Sequence, residues 1–313
     1  MLGETESKQQ NNPEETRREQ IERLFWGKRV DAVKLLRRAL KEQVEQIEIH
    51  KEETRIRLTD GRRFYWDIQH LNSLGFLMRD GFVERDESRL LSVFLRKGFE
   101  VFDIGANYGW YSTLFAQAVG QKGRVHSFEP VSPTFSELDK NIKLNKLKNV
   151  VINQLALSDY DGEAEIYLPV KSGSEDAALI IDPALQHETY HCQVQTLDTY
   201  IHKYNINHID LIKIDIEGGE LKALIGFEQY LQHKEKPMLM IEATEYLALR
   251  FGNSVSDLFR FLNKYQYHIF QMVAGKLVEL DTAEELKAQN IFCLQPDHIQ
   301  TYSPLIKFIT ITK

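Results

Sequence analysis

The chain has 313 residues, 39 basic and 46 acidic, for a formal net charge of −7. That acidic balance argues against a nucleic-acid binder, which carries a basic excess. No apolar run approaches the roughly 18 residues of a membrane span.

Residues 1–11 are polar and predict a disordered tail. Asn12, Pro13 and Glu15 read as a helix start, with a cap, a proline in the first turn and an acid behind it. That helix runs to Trp26, where Gly27 breaks it. Val30, Val33, Leu36, Leu40, Val44 and Ile47 then recur at helical spacing and predict a second helix. In residues 54–68, TRIRLTDGRRFYWDI, two alternating runs flank Asp60-Gly61, a strong hairpin signal. Residues 69–99 read as an irregular loop followed by a helix near 87–96. Residues 12–97 thus form an N-terminal region of helices and a hairpin ahead of a domain at 98–313.

From Glu100 strands alternate with helices, which implies an α/β domain with a parallel sheet. Strands are expected at 100–104, 124–129, 149–155, 209–214, 237–242, 266–272 and 290–294. Helices are expected at 110–118, 132–145, 198–203, 218–231 and 254–263. Residues 158–195 read as an insert with strand pieces AEIYLP and HCQVQT. The last segment, TYSPLIKFITITK, is apolar enough to form a strand or dock on the core.

Cys192 and Cys293 lie far apart and form no CxxC pair, so they read as reduced thiols. With a polar start that lacks an apolar signal segment, they point to a cytoplasmic protein. His187 and His191 are spaced for a metal but have no cysteine partners, so a surface loop is expected there.

The stretch VFDIGANYGWYS, residues 101–112, carries the functional signal. It reads as a strand, a turn and a helix start, the place where open α/β sheets bind ligands. Gly105 and Gly109 let backbone come close to a ligand. Glu129 ends the next strand, 20 residues beyond Gly109, where an acid accepts hydrogen bonds from a ribose diol. Pro130 stops that strand. An NAD site is the alternative, but it needs GxGxxG, and the spacing here is GxxxG. Asp103 beside the turn would repel pyrophosphate. It suits S-adenosylmethionine (SAM), which has no phosphates, an ammonium and a sulfonium that aromatic faces favour.

The ordered series FDIGANYGWYS (102–112), HSFEP (126–130), NIKLN (141–145), LALSD (155–159), QTLDTY (195–200), IDLIKIDIEGGELKALIGF (209–227), PMLMIE (237–242) and NIFCLQP (290–296) resembles the FkbM-type SAM-dependent methyltransferases. GFVERDESRLL (81–91) looks like the element leading into the domain. The resemblance implies a Rossmann-like class I methyltransferase fold, seven-stranded and mostly parallel, with an antiparallel last strand. It implies SAM as cofactor and methyl transfer, usually to oxygen, on a sugar, a natural product or another small molecule. The cofactor residues expected are Asp103, Gly105, Ala106, Asn107, Gly109, Trp110, Tyr111, Glu129, Pro130, Ser158 and Asp215. Ser158 and Asp159 would hold the adenine edge, with Asn141 and Asn145 facing that rim.

Methyl transfer to a hydroxyl benefits from alignment and from a general base. Asp215 and Glu217 in KIDIEGGE are the catalytic candidates, with Glu217 opening a helix and Lys213 in phase with both. Glu242 is a further acceptor-site candidate. Asp215, Glu217 and Glu220 are oxygen ligands of the kind Mg²⁺ takes, but their spacing is not diagnostic and no metal is assigned. The insert at 160–195 and the loop at 69–86 are expected to form an acceptor lid. The rivals are an NAD-type oxidoreductase and a SAM-fold binding module without catalysis. A homodimer through the N-terminal helices is a further possibility.

Overall fold

The computed structural model describes residues 43–51, 53–66, 84–169, 179–180, 186–233 and 235–302. The tail, the first predicted helix, most of the second with its dimer contact, the loop up to residue 83 and the chain end lie outside them.

The described chain begins with a small antiparallel sheet of β1 (Val44–Ile49), β2 (Thr54–Leu58) and β3 (Arg63–Trp66), in that order. The Asp60-Gly61 hairpin is present. The second predicted helix is corrected at its end, where Val44 and Ile47 lie on a strand. VEQIEI places β-branched residues among acids, and pairing with β2 buries Val44. Strand pairing there outweighs the helical spacing.

Helix α1 (Arg85–Phe94) leads into the main sheet, whose strands are β4 (Glu100–Ile104), β5 (Arg124–Phe128), β6 (Val150–Asn153), β10 (Leu211–Ile214), β11 (Met238–Glu242), β12 (His268–Val273), β13 (Lys276–Leu280) and β14 (Asn290–Leu294). The order is β13-β12-β14-β11-β10-β4-β5-β6. All seven predicted strands occur, and the last, β14, is antiparallel to its neighbours. It inserts between β11 and β12, and a short hairpin adds β13 as an eighth strand at the edge.

Helices α2 (Trp110–Val119), α3 (Ser132–Leu144), α4 (Leu197–Tyr204), α5 (Glu220–Ile225), α6 (Glu245–Arg250), α7 (Val255–Lys264) and α8 (Pro296–Tyr302) complete the layers. The central strands are buried along most of their length, as strands covered on both faces must be. Val101, Val125, Leu211 and Met240 form one core with α1, α2 and the small sheet. Phe102, Ile104, Ile212 and Ile241 form the other, with α4, α5 and α7. The predicted helix at 218–231 stops at Ile225, followed by a 3-10 turn at Tyr230–Gln232. Gly226 passes so close to Ser158 that an added Cβ would stand 2.1 Å from the Ser158 carbonyl oxygen.

The insert forms a third sheet, β7 (Ala156–Leu157), β9 (His187–Gln195) and β8 (Gly162–Pro169) in that order. His187 and His191 therefore lie on strand β9, not in a loop. Among the described residues, no helix is long and apolar enough to cross a membrane.

Candidate active site

In-register parallel pairing sets Asp103 of β4 beside Ser127 of β5 and Lys213 of β10. This polar row runs beneath α2. Asp103 is fully buried, and its Oδ2 accepts from Ser112 Oγ at 2.5 Å. Ser112 Oγ also lies 2.7 Å from Ser127 Oγ. The other carboxylate oxygen, Oδ1, has no hydrogen-bond partner and sits 3.9 Å from Lys213 Nζ. Burial raises the Asp103 carboxyl above its ordinary range, against the pull of Lys213 and Ser112.

Lys213 pins the centre. Its Nζ donates to the Gly105 carbonyl at 3.0 Å and meets Asp215 Oδ2 at 3.0 Å. Burial works against its charge, but Asp215, Asp103 and Glu84 outweigh that and raise its pKa.

The glycine turn at 105–109 rests on β5. The amides of Gly105 and Ala106 donate to the Phe128 carbonyl. Asn107 N donates to Glu129 Oε2 at 3.0 Å, and Val131 N to Glu129 Oε1 at 2.9 Å. Glu129 is thus aimed at the turn, with lone pairs left for further donors. Burial pushes its carboxyl up to about 7, opposed by those two amides.

The glycines have a reason that sequence alone did not reveal. Gly105 has φ +78°, and an added Cβ would stand 1.8 Å from the Asp215 carbonyl oxygen. Gly109 has φ +94°, and an added Cβ would meet Leu138 at 2.8 Å. The turn is bare so that β10 and α3 can close on it, as well as to admit a ligand.

Beyond β10 the chain turns through Asp215, Ile216, Glu217 and Gly218. Glu217 is not the helix opener predicted: α5 starts at Glu220, with Gly219 as its N-cap. Glu217 sits in the left-handed region at φ +58°, a conformation costly for glutamate. Glu220 shapes the turn by accepting from the amides of Ile216 (2.9 Å) and Gly218 (3.1 Å). Burial pushes Glu220 up to about 7.

Asp215, Glu217 and Glu242 bring carboxylate oxygens within 4.8 Å of one another. Burial, then the charges of Asp215 and Glu220, push Glu242 up to about 9, and its Oε2 has no hydrogen-bond partner. Glu84, before α1, completes the cluster. Its Oε1 accepts from Asn290 at 2.9 Å, and burial followed by the Asp215 charge raises its pKa. Sequence reasoning missed Glu84, because no local pattern reports a contact 206 residues away.

The structure gives several of the expected cofactor residues contacts within the protein itself. Trp110 and Tyr111 are buried, and their ring faces are taken by the protein's own cations. The Arg62 guanidinium lies 4.5 Å from the Trp110 ring centre, and Lys213 Nζ lies 5.3 Å from that of Tyr111. A sulfonium finds no open face there. Asn141 and Asn145 hold β3: Asn141 accepts from Tyr65 N, and Asn145 bonds the Arg63 amide and carbonyl. Ser158 lies in the turn after β7, with its Oγ donating to Asp159, which pairs with Lys222 at 2.8 Å. Ala106 is buried in the turn and Pro130 follows Glu129 at its rim.

Glu84, Asp103, Glu129 and Asp215 thus act on the Lys213 ammonium, and Glu217, Glu220 and Glu242 gather about Asp215. Two of their buried oxygens, on Asp103 and Glu242, lack partners. Such a donor set fits a cationic ligand without phosphates and repels a pyrophosphate. A doubly wound sheet with this site at its strand carboxyl ends is the frame of a SAM-dependent methyltransferase.

The family model described as "Methyltransferase FkbM domain" matches residues 103–269. The chain belongs to the FkbM methyltransferase family and is an enzyme using SAM as its methyl donor. It is 30% identical over 193 residues to the 31-O-demethyl-FK506 methyltransferase FkbM of Streptomyces tacrolimicus, covering 51% of this chain and 72% of that protein. It is 25% identical over 205 residues to the AMB antimetabolite synthetase AmbE of Pseudomonas aeruginosa, covering 55% of this chain but 10% of the synthetase. The SAM-dependent O-methyltransferase of Thermotoga maritima aligns with 77% of each chain at 15% identity and a TM-score of 0.39.

Proposed function

We propose that the enzyme methylates a hydroxyl oxygen of a small molecule, a sugar or a natural product. The observation that carries this reading is the cluster of Asp215, Glu217 and Glu242 at the carboxyl ends of β10 and β11, beside the glycine turn. A hydroxyl must lose its proton as it takes the methyl group, and a carboxylate in reach is the base for that. The relative from Streptomyces tacrolimicus is named for an O-demethylated substrate, which favours oxygen as the acceptor atom.

Within this reading, Gly105, Ala106, Asn107, Gly109, Glu129, Pro130, Ser158 and Asp215 line the donor side. Glu129 accepts the ribose hydroxyls, and Asp103 contributes charge from below rather than direct contact. SAM supplies a methyl group activated by its positive sulfur. Burial and the charges of Asp215 and Glu220 push Glu242 up to about 9, which favours its protonated form and makes it the weaker candidate for the base. Asp215 is held by Lys213 at 3.0 Å and keeps the donor's charge balanced. Glu217 remains, strained in its turn at φ +58°, and would take the proton of the acceptor hydroxyl as it receives the methyl group. The products are a methyl ether, the demethylated donor and a proton.

The test pairs Glu217→Gln with Asp215→Asn and measures SAM affinity alongside turnover on a panel of sugars and hydroxylated natural products. Glu217→Gln should keep SAM affinity and lose about 10²–10⁴-fold in turnover. An equal loss of SAM affinity and turnover in Glu217→Gln refutes its role as base. Methylation confined to amines refutes the oxygen assignment.

A further inference from the structure

The small N-terminal sheet has no part in the match at 103–269, yet it grips the donor turn. Arg62, in the hairpin between β2 and β3, is 2% exposed. Its Nη1 donates to the Trp110 carbonyl at 2.7 Å and to Thr113 Oγ1 at 3.4 Å, inside the first turn of α2. Its Nε pairs with Asp60 Oδ2 at 2.8 Å, so the hairpin turn itself holds the guanidinium in place. Phe64 of β3 stacks on Trp110 at 5.5 Å and meets Tyr108 edge-on at 5.9 Å. One amide then ties both sides together: Asn141 accepts from Tyr65 N at 2.9 Å and donates to the Tyr108 carbonyl at 2.8 Å.

The donor turn needs such a hold. Gly105, Asn107 and Gly109 all have positive φ, and α2 starts without a side-chain cap. The sheet side of the turn is fixed through Phe128 and Glu129. Its outer side is fixed by the hairpin. A buried guanidinium is a costly way to pack a hairpin, since an apolar side chain of similar size would serve without the loss of hydration. What the guanidinium adds is direction, a fixed set of donors on the Trp110 carbonyl.

We propose that the β2–β3 hairpin is a brace that holds the donor turn in its SAM-binding shape, with Arg62 and Asn141 as positioning residues. The proposal rests on residues 105–109 being the donor turn. Neither residue touches the donor in this scheme. Both set the shape of Tyr108, Gly109 and Trp110, and so the preorganisation on which affinity depends.

The experiment uses the full chain and calorimetric titration with SAM, at a temperature well below every variant's melting point. The variants are Arg62→Met, Arg62→Lys, Asn141→Ala and a control, Leu280→Ala, in the core at the far edge strand β13. The brace predicts that Arg62→Met weakens SAM binding about tenfold, within the usual range of couplings between sites. Arg62→Lys recovers part of the loss, and KM for SAM rises while kcat at saturating SAM stays close to wild type. Where Arg62→Met fails to fold, Asn141→Ala gives the same reading, because it cuts the link from β3 to Tyr108 alone. Wild-type SAM affinity in Arg62→Met or Asn141→Ala overturns the brace. So does an equal weakening by Leu280→Ala, which would make the effect one of general stability. A wild-type chain that binds no SAM overturns the donor-turn reading itself.

Discussion

Replacing Gly105 by alanine tests the packing of the site against a number. The added Cβ would lie 1.8 Å from the Asp215 carbonyl oxygen, 2.9 Å from its carbon and 3.1 Å from Ile216 Cγ2. Two of these neighbours are backbone, so a side-chain rotation cannot relieve the clash. Opening the closest contact from 1.8 to 3.0 Å requires β4 and β10 to part by more than an ångström at their carboxyl ends. That strains the Asp215 N to Ile104 O bond (3.1 Å) and the Lys213 Nζ to Gly105 O bond (3.0 Å). Left-handed backbone costs alanine about 1–2 kcal/mol, and each buried polar group left unpaired about 1–3 kcal/mol. With both bonds lost the sum is about 3–8 kcal/mol, a large share of the roughly 5–15 kcal/mol of a typical domain. Gly275→Ala is the control. Its φ of +74° carries the same backbone strain, but nothing lies within 4 Å of its Cβ. Urea unfolding of the two variants isolates the clash, because the unfolded chain gains the same restriction from either alanine. Equal midpoints for Gly105→Ala and Gly275→Ala would refute the close approach of β4 and β10.

Glu129, with its carboxyl near 7, should make SAM binding strengthen about tenfold between pH 6 and 8, as the ionised form becomes available to the ribose. Glu129→Gln should flatten that profile, and an unchanged slope by calorimetry would remove Glu129 from the site. Stability should move the other way. Glu129 and Glu220 (about 7) and Glu242 (about 9) hold protons in the folded state that the unfolded chain releases near 4.5, so their stabilising contribution is full below that pH and lost as pH rises through 7 and then 9. Melting curves from pH 5 to pH 9.5 should show that decline, and Glu242→Gln should lessen its upper part. Cys192 and Cys293 are buried, with thiols raised by that burial, so neither should react with an aromatic disulfide reagent before unfolding.

The main sheet was legible because its central strands are short apolar runs alternating with helical stretches, which is how doubly covered strands read. The hairpin was legible from Asp60-Gly61, which sets its turn locally. Val44 and Ile47 misled, because their spacing fits a helix while their fate depends on an edge of β2 that local sequence does not show. The same holds inside the site. Gly105 and Gly109 announced a bare turn, but not that Asp215 and Leu138 would be what approaches. Trp110 read as a cofactor ring until Arg62 was found across it, from a hairpin 48 residues earlier in the chain. Glu84 enters the cluster through Asn290 and has no pattern of its own. Residues that act through neighbours in sequence were visible, and those that act through distant contacts were not.

The central claim is that the crevice between the glycine turn and Asp215 binds SAM. It is tested most directly by titrating the full chain with SAM and with NAD, in the wild type and in Asp215→Asn. The account predicts SAM binding by the wild type, weaker SAM binding by Asp215→Asn and no response to NAD in either. A clear NAD response, or SAM affinity untouched by Asp215→Asn, would contradict it.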